Sequence, residues 1–218
     1  LGTVSYQDGL DLQKKLSAKV QKDQLPGFLL LLQHPPSLTI GRAGGWENML
    51  VSKEDCTKRG IQIFESNRGG NITYHGPGQL IGYPVLNLKY WQKDVHLYVR
   101  NLEQVIINTL KNCGINAGRK PEYTGVWVED KKITAIGIYL KNWITMHGFA
   151  FQITKGNIEN FDLINPCGIT EFGVTALEEL VPWVKFNEVV QAVKENFSEI
   201  FECELVPKDV SGLLEENL

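Results

Sequence analysis

Residues 68–79 read RGGNITYHGPGQ, Arg68 through Gln79. Twelve positions hold four glycines, a proline, a histidine, an arginine and a short β-like run, Ile72 to His75. That composition cannot build an ordinary core. Glycine belongs where backbone takes positive φ or lies close against something else. The stretch reads as a strand edged by two backbone loops, with polar side chains presented between them. It matches neither GxGxxG nor GxxxxGK[ST], so it is no dinucleotide or P-loop fingerprint. Its backbone amides suit a phosphate or an oxyanion. They also suit a substrate chain lying flat against a sheet, or a purely structural loop.

Outward from that stretch, the chain reads as strands in neighbouring runs. Upstream, an amphipathic helix covers Gln7 to Lys22, with Leu12, Leu16 and Val20 at helical spacing. Phe28 to Gln33 is a buried strand stopped by His34-Pro35-Pro36. Ser37 to Gly41 resumes as a strand, and Ser52 caps a short helix closed by Gly60. Ile61 to Glu65 alternates as a strand. Downstream come a strand from Leu80 to Leu88 and a helix from His96 to Asn112. Two strands, Thr124 to Glu129 and Lys132 to Leu140, meet at an Asp130-Lys131 turn. A third covers Thr145 to Thr154, a helical turn Ile158 to Ile164, and a last helix Asn187 to Phe201. Strands and helices do not alternate regularly. That favours an α+β fold with a mixed, largely antiparallel sheet flanked by helices. One domain over 1–218 is expected, with 207–218 a loose C-terminal tail.

Composition narrows the function. Net charge is −3, which argues against a general nucleic-acid footprint. The longest apolar run, Phe28 to Leu32, is too short for a membrane span, and LGTVSYQDG lacks the layout of a signal peptide. The four cysteines, Cys56, Cys113, Cys167 and Cys203, form no CxxC pair, so a reducing compartment is expected and no metal site. Cys167 sits in NPCGI, in a loop, and reads either as an idle cysteine or as a nucleophile. As a nucleophile it needs a base or positive charge from elsewhere in the fold. Candidates are His75, His147, Lys131 and Lys132; His34 reads as a strand-end residue and His96 as a solvated helix opener.

At this point the motifs carry a resemblance. RGGNITYHGPGQLIGYP (Arg68 to Pro84), YTGVWV (Tyr123 to Val128), KITAIG (Lys132 to Gly137), ITMHGFA (Ile144 to Ala150) and INPCGI (Ile164 to Ile169) occur in order, with HPPSLTIGR (His34 to Arg42) and GVTAL (Gly173 to Leu177) fitting as well. Together they cover nearly the whole chain. The sequence resembles the lipoyl(octanoyl) transferases, the LipB family. The resemblance implies the fold of lipoate ligases and of biotin protein ligase catalytic domains. It implies an acyl transfer in lipoate biosynthesis, from octanoyl-acyl carrier protein through a cysteine thioester to a lysine of lipoyl domains. Such acceptors are the 2-oxoacid dehydrogenase E2 subunits and the glycine cleavage H protein. No cofactor, nucleic acid or membrane is implied. The implied compartment is bacterial cytoplasm, or mitochondrion or plastid after import.

The resemblance also assigns residues. Cys167 is the implied nucleophile and Lys132 the residue that lowers its pKa or takes its proton. The implied substrate-binding residues are Arg68, Gly69, Gly70, Asn71, Ile72, Thr73, Tyr74, His75, Ala135, Ile136, Gly137, Gly148, Phe149 and Ala150. His147, Gly78 and Gln79 are further candidates, and amides around Cys167-Gly168 or Gly76 to Gly78 are oxyanion candidates. Arg42, Arg68 and Lys132 are expected in a basic patch for an acidic carrier protein. One departure stands out: related sequences often read HGxALN where this one has Phe151 and Gln152, a change that matters if either lines the acyl pocket. Other readings stay open: an ATP-dependent lipoate or octanoate ligase on the same fold, a cysteine thioester hydrolase, or a non-catalytic binder of lipoyl domains.

Overall fold

The structure is a computed structural model and describes residues 1–156, 158–165 and 172–209. Its larger sheet has the order β1-β5-β9-β8-β7-β6: β1 (Gly27–Leu32), β5 (Gln79–Leu86), β9 (Ile144–Gln152), β8 (Lys131–Lys141), β7 (Tyr123–Val128) and β6 (Gly118–Lys120). A short β10 (Gly173–Val174) joins β8 in parallel. The smaller sheet has the order β3-β2-β4, from β3 (Gln62–Glu65), β2 (Ser37–Ile40) and β4 (Ile72–His75). Most pairs are antiparallel, but β2 and β3 run parallel. The α+β fold is thus as expected, with the strands divided between two sheets.

Three apolar clusters hold these layers. The helix α1 (Tyr6–Asp23) lays Leu12, Leu16 and Val20 on one face of the larger sheet, against Leu30, Ile81, Val85 and Ala150. Residues four apart stack along one helix face, so this spacing makes the contact. Ser5 caps the helix by accepting the Asp8 amide at 3.1 Å. The opposite face takes α3 (Val95–Asn112) and α5 (Phe186–Ile200), whose Leu102, Ile106, Val193 and Phe197 pack with Phe149 and Phe151. Beneath the smaller sheet, Leu38, Ile72 and Tyr74 meet Cys56 of α2 (Lys53–Lys58) and Phe161. Sequence pattern missed β6, β10 and the short helix α4 (Leu177–Leu180), elements of two to four residues with no room for a period. Within the predicted tail, Pro207–Asp209 carries no regular secondary structure, and 210–218 lies outside the described residues. No helix among the described residues is long and apolar enough to cross a membrane.

Two irregularities shape the middle of the larger sheet. The first is in β9. Its ladder with β5 runs from Gln79↔Gln152 to Gly82↔Phe149 and then stops. Just beyond, β5 contains Pro84, which has no amide to give. The Thr145 hydroxyl fills part of the break: it accepts from the Leu86 amide at 2.9 Å and donates to the Pro84 carbonyl at 2.7 Å. His147 takes a left-handed φ of 58° there, and its amide donates to Oε1 of buried Gln13 on α1 at 2.6 Å. Gly148 follows where any Cβ would sit 2.3 Å from the Gly82 carbonyl.

The second irregularity is in β8. Strand β7 pairs with it only as far as Val126↔Thr134. The edge is taken up again at Ile138, whose carbonyl accepts the Gly69 amide at 2.8 Å. In an antiparallel strand alternate residues point their backbone groups to the same side. Ile136 therefore faces the opening left between β7 and Gly69.

Candidate active site

That opening is the mouth of a cavity of about 530 Å³, within the roughly 300–1,000 Å³ common for small-molecule sites. Its walls come from Arg68–Thr73, from Lys132 and Ala135–Ile138 of β8, and from His147–Ala150 and Gln152 of β9. Tyr6, His75, Tyr83 and Val99 also line it. The glycines are there for close approach. A Cβ on Gly137 would lie 2.8 Å from the Gly69 carbonyl, so a side chain would push the Gly69 loop off the strand. Gly82 leaves room for the Phe149 ring, whose Cζ is 2.1 Å from where a Cβ would be.

One side of the cavity is a buried polar network. Arg68 is 8% exposed; its Nε and Nη2 donate to the Thr39 hydroxyl at 3.1 and 2.9 Å, its Nη2 to the Thr39 carbonyl at 2.6 Å, and its Nη1 to the Gly69 carbonyl at 2.9 Å. Gln79 donates Nε2 to the Tyr74 carbonyl at 3.2 Å, which turns its Oε1 toward His75. His75 therefore donates Nδ1–H to that oxygen at 2.8 Å, and its Nε2 accepts from the Thr39 hydroxyl at 3.2 Å. This order of donors requires a neutral His75. Burial pushes its pKa down to about 3, with repulsion from His34 adding to the effect. His34 donates Nδ1–H to the Val4 carbonyl at 2.7 Å and accepts the Tyr83 hydroxyl at 2.8 Å. Burial lowers the His34 pKa and raises those of Tyr6 and Tyr83. His147 donates Nε2–H to Asn67 Oδ1 at 2.7 Å, and burial, then the nearby Arg68 charge, bring its pKa to about 3.

At the other end stands Lys132, half-buried, its Nζ 4.8 Å from the centre of the Trp127 ring. Beside it runs β10: Val174 pairs with Lys132, and the Thr175 amide donates to the Lys132 carbonyl at 3.1 Å. Residues 166–171, with Cys167 and Gly168, lie outside the described residues. The chain on either side is anchored. The Asn165 amide donates to the Asn48 carbonyl at 2.8 Å, and Gly173 pairs with Lys131.

Of the residues singled out from sequence, Lys132, Arg68 to Thr73, His75, Ala135 to Gly137 and His147 to Ala150 line this cavity together. Tyr74 points the other way: its ring packs edge-on against Phe161 at 5.6 Å and its hydroxyl accepts from Asn160 at 3.0 Å. Alternation along β4 explains this, since Thr73 and His75 take the cavity face. Gly78 and Gln79 do not line the cavity. Gly78 makes the turn at φ 87° with its amide on Gln33 Oε1, and Gln79 holds His75. Arg68 does not belong to a surface basic patch, because its guanidinium is buried on Thr39. Of the two departures, Phe151 is core on the α3 side and Gln152 lines the cavity. Sequence reading missed Tyr6, Gln13, Thr39, Asn67 and Tyr83. Only Gln13 left a signal, a polar residue one turn before Leu16 on the apolar face of α1.

Comparison with known proteins gives the family and the fold. The lipoyl protein ligase A/B catalytic domain matches residues 5–198. An octanoyltransferase of Clostridium kluyveri is 51% identical over 98% of this chain and 92% of its own length. One from Caldanaerobacter subterraneus is 47% identical over 98% and 93%. One from Solibacter usitatus is 44% identical over 95% and 93%. Among solved structures, lipoate-protein ligase A bound with ATP superposes at a TM-score of 0.81 and 17% identity, over 99% of this chain and 89% of the other. A lipoate protein ligase from T. acidophilum with bound lipoic acid gives 0.80 at 18%, with the same coverage. These structural likenesses speak to the fold.

Proposed function

The chain belongs to the octanoyltransferases of the lipoyl protein ligase A/B catalytic-domain family, and from that premise we propose that it moves an octanoyl group from octanoyl-acyl carrier protein to a lipoyl-domain lysine by way of a thioester on Cys167. The observation that carries this reading is that Lys132 lines the cavity and is paired with β10, the strand that follows the Cys167 segment.

In the first half-reaction Lys132 takes the Cys167 proton, and the thiolate attacks the thioester carbonyl of the donor. The donor carbon–sulfur bond breaks, and the carrier thiol leaves with the proton held on Lys132. In the second, the acceptor amine attacks the Cys167 thioester. Lys132 takes the amine proton, and Cys167 leaves as a thiolate beside the ammonium. Proton transfer by a placed base contributes typically about 10²- to 10⁴-fold. One thioester replaces another and then gives an amide, so neither half-reaction needs ATP.

The cavity suits the acyl chain. Its walls beyond Lys132 are small or apolar: Ala135, Ile136, Gly137, Phe149 and Ala150. Each buried methylene contributes roughly 0.8 kcal/mol, so seven carbons beyond the carbonyl contribute about 5–6 kcal/mol toward choosing the chain. The test is transfer from octanoyl-acyl carrier protein to a lipoyl domain without ATP. Octanoylated acceptor is the expected product, and an absolute need for ATP with free octanoate overturns the reading.

A further inference from the structure

We propose that the side-chain amide of Gln152 is the group in this cavity that holds the acyl carbonyl oxygen, a catalytic residue beyond those already assigned. Gln152 is 7% exposed and lines the cavity. Its amide opens into the cavity and is not enclosed by protein: the fully buried side-chain polar atoms without a partner among the described residues are Gln13 Nε2, Tyr98 Oη and Thr134 Oγ1, so the Gln152 amide is accessible to whatever fills the cavity. Of the other buried polar side chains that line the cavity, all but Thr73 are occupied. Arg68 is on Thr39 and Gly69, His75 on Thr39 and Gln79, Tyr83 on His34, and His147 on Asn67. Gln152 has no hydrogen-bond partner among the described residues. Its register neighbour Gln79 has both ends of its amide tied, to His75 and to the Tyr74 carbonyl, and supplies none.

Position along the sheet says which part of a ligand Gln152 meets. The β8–β9 ladder pairs Thr134 with Phe151 at one end and Ile138 with His147 toward the other. Gln152 follows Phe151 and so stands at the Lys132 end of the cavity. The apolar walls lie between it and His147. An acyl chain along those walls with its reacting carbon toward Lys132 brings its carbonyl oxygen to the Gln152 end. The Nε2–H there donates to that oxygen, and the bond strengthens as the oxygen becomes anionic. The inference rests on the octanoyl-transfer reading for its chemistry, and on burial and register for its geometry.

The experiment uses the full chain and Gln152→Met, which keeps length and removes the amide, with Gln152→Asn as the conservative variant. Three readings are taken: thermal unfolding, single-turnover acylation of Cys167 from octanoyl-acyl carrier protein, and binding of the unreactive amide N-methyloctanamide. Gln152→Met is expected to unfold no lower than the wild type, because its amide has no protein partner to lose. Its acylation rate is expected to fall roughly 10²-fold, the usual effect of losing one oxyanion donor. Its N-methyloctanamide affinity is expected to fall about tenfold, the effect of one hydrogen bond, and Gln152→Asn is expected to recover part of both. Acylation and amide binding within threefold of wild type overturn the inference, and so does a lowered unfolding temperature that accounts for the loss. If the wild type binds the amide through Gln152 yet never acylates, the octanoyl-transfer reading falls and the amide site stands.

Discussion

The Gly69 amide donates to the Ile138 carbonyl at 2.8 Å, and this one bond joins the glycine-rich stretch to the edge of β8. Strand β7 has already left that edge at Thr134. The span between, centred on Ile136, is where the sheet opens into the cavity. The glycines of residues 68–70 are therefore a matter of approach: the loop has to lie against β8 with Gly137 beneath it.

Gly82 sets the reach of the cavity through Phe149. A methyl at Gly82 has to displace the Phe149 ring, which is 2% exposed and borders the cavity. Gly82→Ala should shift preference from octanoyl toward hexanoyl donors, at roughly 0.8 kcal/mol for each methylene lost. Competition between six-, eight- and ten-carbon donors measures it; an unchanged ranking refutes this role for the ring.

Lys132 is assigned proton transfer, which charge alone does not replace. Lys132→Arg should lower single-turnover acylation by about 10²-fold or more, and Lys132→Met by at least as much, with little change in unfolding temperature. Near-normal acylation in Lys132→Arg reduces the role to charge.

Much of the fold was legible in the sequence, and the reasons are specific. Leu12, Leu16 and Val20 announce α1, and Ser52 caps α2 by accepting the Asp55 amide at 3.1 Å. The division into two sheets was not legible, because nothing local in Ser37–Ile40 says which strands it will pair. The polar network was hidden for a similar reason. Tyr6, Thr39, Asn67 and Tyr83 come from four separate segments and are ordinary residues in each. His147 was legible as a candidate site residue in a β-like run, but its left-handed turn was not, because it depends on Gln13, 134 positions away.

The buried histidines make the fold sensitive to acid. In the unfolded chain an imidazole protonates near 6.5; folded His75 and His147 stay neutral down to about 3. Between those values the unfolded chain binds more protons, so stability falls as pH falls and is fully present above about 6.5. Each pKa difference of one is about 1.4 kcal/mol, large against a total stability of about 5–15 kcal/mol. Denaturant titrations from pH 7.5 to 4.5 should show the loss, and His147→Asn should flatten it. An equally steep profile in that variant contradicts the assignment.

Glu103 braces β7 from beneath. Its fully buried carboxylate takes Arg100 and Arg119 at 2.8 Å each and the Gly125 amide at 3.0 Å. Glu103→Leu leaves the Gly125 amide without its acceptor and removes two charge-assisted hydrogen bonds from the half-exposed arginines, and should cost about 3 kcal/mol. For a chain of this size that is a fall of about 6–12 °C in Tm. A fall of less than about 2 °C in calorimetry counts against it.

The central claim is that the acyl group rests on Cys167 during transfer. Intact-mass analysis after incubation with octanoyl-acyl carrier protein alone, followed by peptide mapping, tests it most directly. One octanoyl group is expected on Cys167, discharged by adding a lipoyl domain and absent in Cys167→Ala. No adduct on the wild type, or the same adduct in Cys167→Ala, contradicts it.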